Sequence, residues 1–216
     1  MKIKETKELK KRKIYALKII RELKKLFPRS RVFLRYKNAW ELLVAVILSA
    51  QCTDKKINEV TRRLFKKYTK LDDYVHAKQG EFEHDIYETG FYRAKTRNIL
   101  AAAKIIKKEF KGKIPKTMEE ILLIPGVGRK TANIVLQNVH GIVVGIPVDT
   151  HVKRLSRLLG LTKEVDPNKI ERDLMEIFPK KDWTYISYAF IDYGRKYCSA
   201  RKHNHKDCPL SRIEKI

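Results

Sequence analysis

Cysteine is scarce in this chain of 216 residues: there are only three, Cys52, Cys198 and Cys208. An odd and small number does not build a secreted disulfide scaffold. Long apolar runs are missing too. The stretch WELLVAVILSA at 40–50 falls far short of the roughly 20 residues that a bilayer-spanning helix requires, and reads as a buried core helix. The opening MKIKETKELKKRK lacks the apolar segment and small-residue cleavage site of a secretory signal. A cytoplasmic, nucleoid-associated protein of a prokaryotic cell is therefore expected, with no membrane partner. Internal repeats, low-complexity tracts and paired strand-like segments are absent as well. Acidic side chains are few beside the basic ones: 25 Asp and Glu against 49 Lys and Arg leave a formal charge of +24. A solvated thermophile surface is the plainer reading of so many lysines, but such a surface is balanced in sign. The surplus points to a polyanion, most commonly nucleic acid.

What is present is helical periodicity. Ile14, Leu17, Ile20, Leu23 and Phe27 recur every three or four residues between lysines and arginines, until Pro28 stops the pattern. WELLVAVILSA is apolar nearly all round, so it belongs at the centre of a bundle. Thr53 or Asp54 can cap a following helix with Ile57, Val60 and Leu64 on its core face. Ile99, Leu100, Ala103 and Ile106 mark another, after a break at Gly90. Val152, Leu155 and Leu159 define one ending at Gly160, and Asp166-Pro167 opens the next with a cap followed by proline at the first helical position. The last is expected over Trp183–Tyr193, stopping at Gly194. GIVVGIPVDTH at 141–151 reads as an extended linker, since no partner strand is visible.

One interruption carries chemistry. Thr117 to Glu120 has the S/T-x-x-E form of a capping box and predicts a short helix; IPGVGRKTA follows at 124–132, with a second helix from about Arg129 to Val139. Two short helices joined by Pro-Gly-x-Gly make a helix-hairpin-helix. Glycines at 126 and 128 permit positive φ and put no side chain in the way, so successive N–H groups can converge on a phosphate oxygen, directly or through a cation. The second helix adds its positive end. An ordinary helical hairpin with a tight turn is the alternative. Lys130 lies in the first turn of the second helix, where a phosphate held by the turn would bring the adjacent sugar to its amine. A lysine with an ordinary pKa of about 10.4 is only roughly 0.04% neutral at pH 7, so nucleophilic chemistry requires surroundings that favour the uncharged amine, such as Arg129 and the helix end.

The sequence resembles the endonuclease III family of helix-hairpin-helix DNA glycosylase/AP lyases. The resemblance rests on WELLVAVILSAQCTD (40–54), TGFYRAKTRNI (89–99), IPGVGRKTANIVL (124–136), VDTHVKRLSRLLGL (148–161) and YGRKYCSARK (193–202), in the family's order and near its spacing. It implies an all-α fold of two domains. A six-helix bundle at 32–143 holds the helix-hairpin-helix at 117–139, residues 1–31 and 144–216 form the second helical domain, and the DNA cleft lies between them. The implied partner is double-stranded DNA with damaged bases or abasic sites, bound by a monomer. The implied nucleophile is Lys130, and Asp149 of the VDTH block is the second catalytic residue; as a residue on its own, Asp149 reads equally as a helix N-cap. Gln51 and Phe91 match wedge positions that fill the stack when a nucleotide is extruded, although by themselves they read as a helix terminator and a core aromatic. Gly126, Val127, Gly128 and Arg129 match the phosphate-binding turn. Some relatives carry a carboxylate where Leu122 stands here.

The resemblance fails at the C-terminus. Typical members close with C-x6-C-x2-C-x5-C around a four-iron cluster, and here the corresponding positions are Cys198, His205, Cys208 and Glu214. Two thiolates are missing, so no iron-sulfur cluster is expected, and no cofactor: the loop folds without metal and ARKHNHK serves DNA phosphates. The alternatives are zinc at Cys198, His203, His205 and Cys208, although C-x4-H-x-H-x2-C is not a common finger spacing, or a Cys198–Cys208 disulfide. Cys52 is expected to be a buried, inert thiol.

Overall fold

The computed structural model describes residues 6–214 and is all-helical, with no strand among them. Its contacts divide the chain into two units: one runs over Phe33–Val144, and the other joins the chain's start, up to Val32, to everything from Gly145 onward.

The first unit contains α2 (Ala39–Leu48), α3 (Asp54–Lys67), α4 (Leu71–Val75), α5 (Gln79–Ile86), α6 (Tyr92–Glu109), α7 (Met118–Ile121) and α8 (Arg129–His140). Asn38 starts α2 by accepting from the Glu41 N–H at 2.9 Å. Every residue from Leu42 to Leu48 is then buried, because α2 packs against α3, α6 and α8 at once. Each Leu, Val or Ile so enclosed contributes about 1.5–3 kcal/mol, which makes α2 the unit's axis. Thr53 caps α3 through the Lys56 N–H, and Ile57, Val60 and Leu64 face inward. Trp40, Tyr68, Tyr74 and Phe82 form a cluster with ring centroids 5.1–5.8 Å apart, edge-on except for the tilted pair of Tyr68 and Tyr74. Burial raises the Tyr68 hydroxyl to about 12, ahead of its hydrogen bond to Asp85.

The second unit contains α1 (Lys7–Leu26), α9 (Thr150–Leu158), α10 (Pro167–Ile177) and α11 (Trp183–Lys196). On α1 the core face is Tyr15, Ala16, Ile19, Ile20 and Leu23, while Ile14 and Leu17 are about half exposed. The expected stripe through Ile14 and Leu17 is thus rotated. This face packs on α10 and α11, with Ala16 fully buried, and Tyr15 sends its hydroxyl to the Leu159 carbonyl at 3.1 Å. α10 starts as expected, with Asp166 accepting from the N–H groups of Asn168 and Lys169 ahead of Pro167. α11 does not stop at Gly194. It continues to Lys196, and the glycine has another reason: a Cβ there would lie 2.4 Å from His151 Nδ1 and 3.2 Å from an Arg154 nitrogen, so its absence lets α9 approach. No helix among the described residues is long and apolar enough to cross a membrane.

Candidate active site

The helix-hairpin-helix turn is closed from within. Thr117 caps α7 by accepting from the Glu120 N–H at 3.2 Å, and its hydroxyl donates to the Glu120 carboxylate at 2.8 Å. Ile124 N–H donates to Ile121, and Val127 N–H donates to the Ile124 carbonyl at 3.1 Å. Val127 is buried, so it anchors the turn, and its N–H is committed to the backbone and does not face outward.

The two glycines have different reasons. Gly126 has φ +80°, and a Cβ there would lie 2.8 Å from Asn98 Cβ, so both backbone and packing require glycine. Gly128, expected to share that positive φ, is instead extended at φ −95° and ψ 174°, and a Cβ there would meet nothing within 4 Å. The space beside it is open. Gly128 has no side chain to cap α8, and the positive end of the helix dipole lies at that start. Arg129 and Lys130 follow, both exposed, and the Lys130 side chain makes no hydrogen bond or ion pair among the described residues.

Gln51 and Phe91 both adopt left-handed backbone conformations, with φ 54° and 50°. Such a conformation costs a non-glycine residue roughly 1–2 kcal/mol. Both side chains are exposed, Phe91 by 65%, so Phe91 is not a core aromatic. Beneath these two loops lies Lys95, which sequence reasoning missed. It is only 4% exposed, and its ammonium donates to the carbonyls of Leu48 and Thr89 at 2.8 Å each, tying the end of α2 to the turn before α6. Burial holds it below the ordinary lysine range, partly offset by Cys52. The signal was its register: Lys95 falls on the apolar stripe of α6 with Ile99, Ala103 and Ile106. Cys52 is half-buried and not enclosed as expected, because it lies in the exposed bend between α2 and α3.

In the second unit, Asp149 is the N-cap of α9. One carboxylate oxygen accepts from the Val152 N–H at 2.8 Å, and the half-buried side chain makes no other hydrogen bond among the described residues. The cap reading of Asp149 holds, and one oxygen is left over.

Farther along the same unit, Cys198, His203, His205 and Cys208 place one ligand atom each within 4.8 Å of all the others, a group that could hold a metal ion. All three cysteines are free thiols. Burial, and then the facing Cys198, push the Cys208 thiol above its ordinary range. Two thiols and two imidazoles do not fit a four-iron cluster, which takes four thiolates.

Comparison with known proteins agrees with this architecture. The model of the HhH-GPD superfamily base excision DNA repair protein matches residues 44–180. Endonuclease III of Synechocystis sp. is 48% identical over 198 residues, covering 92% of this chain and 90% of that protein. Endonuclease III of Bacillus subtilis is 41% identical, covering 86% and 84%. Among solved structures, a trapped endonuclease III–DNA covalent intermediate superposes with a TM-score of 0.88 at 39% identity, covering 93% of this chain and 94% of its own. A non-covalent endonuclease III–DNA complex gives 0.89 at the same identity and coverage. The open space at Gly128, the start of α8 without a side-chain cap and the capped Asp149 thus sit in a sequence that matches at family level across nearly its whole length, and the chain belongs to the endonuclease III family of the HhH-GPD superfamily of base excision DNA repair proteins.

Proposed function

We propose that this protein is a bifunctional DNA glycosylase and AP lyase of base excision repair, which removes oxidised pyrimidines from double-stranded DNA and nicks the strand at the resulting site. The observation that carries the reading is Lys130, an unpaired, exposed amine on the first turn of a helix that starts without a side-chain cap. A backbone phosphate docks on the N–H groups around Gly126, Gly128 and Arg129, with Val127 holding the turn in shape, and this grip reads no sequence. Gln51 and Phe91 enter the stack vacated by the extruded nucleotide.

The lone pair of the neutral Lys130 amine attacks C1′, and the glycosidic bond breaks with its electrons leaving on the base, which takes up a proton. The sugar ring then opens as O4′ leaves C1′ with the bond electrons and takes a proton from water, which gives a protonated Schiff base between C1′ and Nζ. The iminium acidifies the 2′ proton, which passes to water while its C–H electrons form the C2′–C3′ double bond and the 3′ phosphate departs; hydrolysis of the imine then frees the enzyme. Asp149 offers negative charge to the sugar as positive charge develops at C1′, through the oxygen its cap leaves unused. Such an enzyme works as a monomer on chromosomal DNA, in the cytoplasm of a prokaryotic cell.

Borohydride reduction on a duplex with one oxidised pyrimidine, and on one with an abasic site, tests this. A covalent protein–DNA adduct that is lost in Lys130→Ala is expected. Base release without an adduct would instead indicate a monofunctional glycosylase using Asp149 to activate water, and binding without either reaction a non-enzymatic helix-hairpin-helix module.

A further inference from the structure

The chain past α11 folds back on itself so that Cys198, just after the end of that helix, meets Cys208 at the start of the short Pro209–Arg212 turn. Both sulfurs are in the core, Cys198 at 1% and Cys208 at 4% exposure, whereas His203 and His205 stand between them and solvent. We infer that these four side chains form a mononuclear, tetrahedral zinc site that fastens the C-terminal segment to the end of α11.

Three observations support this. The first is spacing. Zinc binds thiolate at about 2.3 Å and imidazole at about 2.0–2.1 Å, so the sulfur-to-nitrogen edge of its tetrahedron is about 3.5 Å. Cys198 Sγ lies 3.6 Å from His205 Nδ1, and Cys208 Sγ lies 3.4 Å from His203 Nε2. All four ligand atoms are within 4.8 Å of one another, which suits one ion and is too tight for the separate irons of a cluster. The second is the tautomer of His203. Its Nδ1 is 2.8 Å from the Arg201 carbonyl, which can only accept, so Nδ1 carries the proton and Nε2 turns its lone pair toward Cys208. A backbone carbonyl orienting the far nitrogen is what metal-bound histidines ordinarily have. The third is charge. Arg154 from α9 donates to the Cys198 carbonyl at 2.5 Å and to the Ser199 carbonyl, and approaches Cys198 Sγ at 3.6 Å, so a guanidinium accompanies the thiolate. Four protein ligands leave no open position, so the site is structural and supplies no step of the lyase chemistry.

The site belongs to one unit and does not depend on the function proposed above. The test uses the full chain, stripped of metal with chelator under reducing conditions and titrated with zinc or with cobalt(II) alone. One zinc per chain is expected, with the intense visible bands of four-coordinate cobalt, sulfur-to-cobalt charge transfer, and a higher thermal midpoint. Because Cys208→Ser opens a core position and can fail to fold, His203→Gln is the second variant: it lies at the solvent side and should lose the cobalt bands and the thermal shift while its secondary structure persists. Six-coordinate cobalt, no bound metal, iron with sulfide in the isolated protein, or a Cys198–Cys208 disulfide that persists in reductant and excludes zinc would each overturn the assignment.

Discussion

Replacing Lys95 with Met removes a buried charge and leaves two carbonyls, Leu48 O and Thr89 O, without the ammonium that bonds both at 2.8 Å. A buried acceptor stripped of its donor costs about 1–3 kcal/mol. Two of them cost roughly 2–6 kcal/mol, and relief of the ammonium's desolvation returns part of that. Met fills the stem of the lysine, so cavity formation adds little, and the expected net loss is about 2–4 kcal/mol out of a total stability of about 5–15 kcal/mol. Urea denaturation measures the loss. Hydrogen exchange should place it first in residues 49–53 and 89–92, because the lost contacts joined those loops. Lys95 also imposes a pH dependence of definite sign. Burial depresses its folded-state pKa below the unfolded 10.5, so the unfolded chain holds more protons in the interval between the two values, and stability rises with pH across it. The stability gap between wild type and Lys95→Met should therefore widen as pH climbs toward 10.5. A loss under about 0.5 kcal/mol, unchanged exchange in both loops, or a gap that narrows with pH would refute this account.

Gly126→Ala should destabilise the protein by at least about 1–2 kcal/mol from the backbone alone, with more from the Asn98 contact, measured as a lower urea midpoint. Gly194→Ala should also lower stability, because His151 and Arg154 must retreat from the new methyl group; thermal melting reads this. Asp149→Asn keeps an N-cap acceptor and should preserve the melting temperature while slowing base release. Asp149→Ala should slow it and also lose about 1 kcal/mol of stability, and equal turnover by the Asn variant and wild type would remove the carboxylate from the reaction.

Much of the fold was legible because local rules and packing agree. The nearly all-apolar α2, the Thr53 cap and the Asp166-Pro167 start each follow from a few neighbouring residues, and the structure has all three. Where sequence reasoning erred, distant contacts decided. Ile14 and Leu17 fit a helical stripe as well as Ala16 and Ile19 do, and only the packing of α10 and α11 chooses between them. Gly194 has the look of a stop signal, but its neighbour is His151, forty-three positions earlier. Lys95 was lost among 49 basic residues although its register was anomalous. The candidate nucleophile and its turn came from motif chemistry, which is local. The gathering of Cys198, His203, His205 and Cys208 was legible only as an alternative, because their spacing is not a common one and the chain reversal that brings the ends of the segment together is not local.

The turn's two glycines obey different masters. Position 126 is dictated by the protein's own interior, whereas at 128 the polypeptide would accept a side chain without disturbance, and only a visitor from outside could object. A randomised library sorted for soluble, folded product should therefore keep glycine at 126 and let 128 drift, and a second round sorted for repair should bring 128 back.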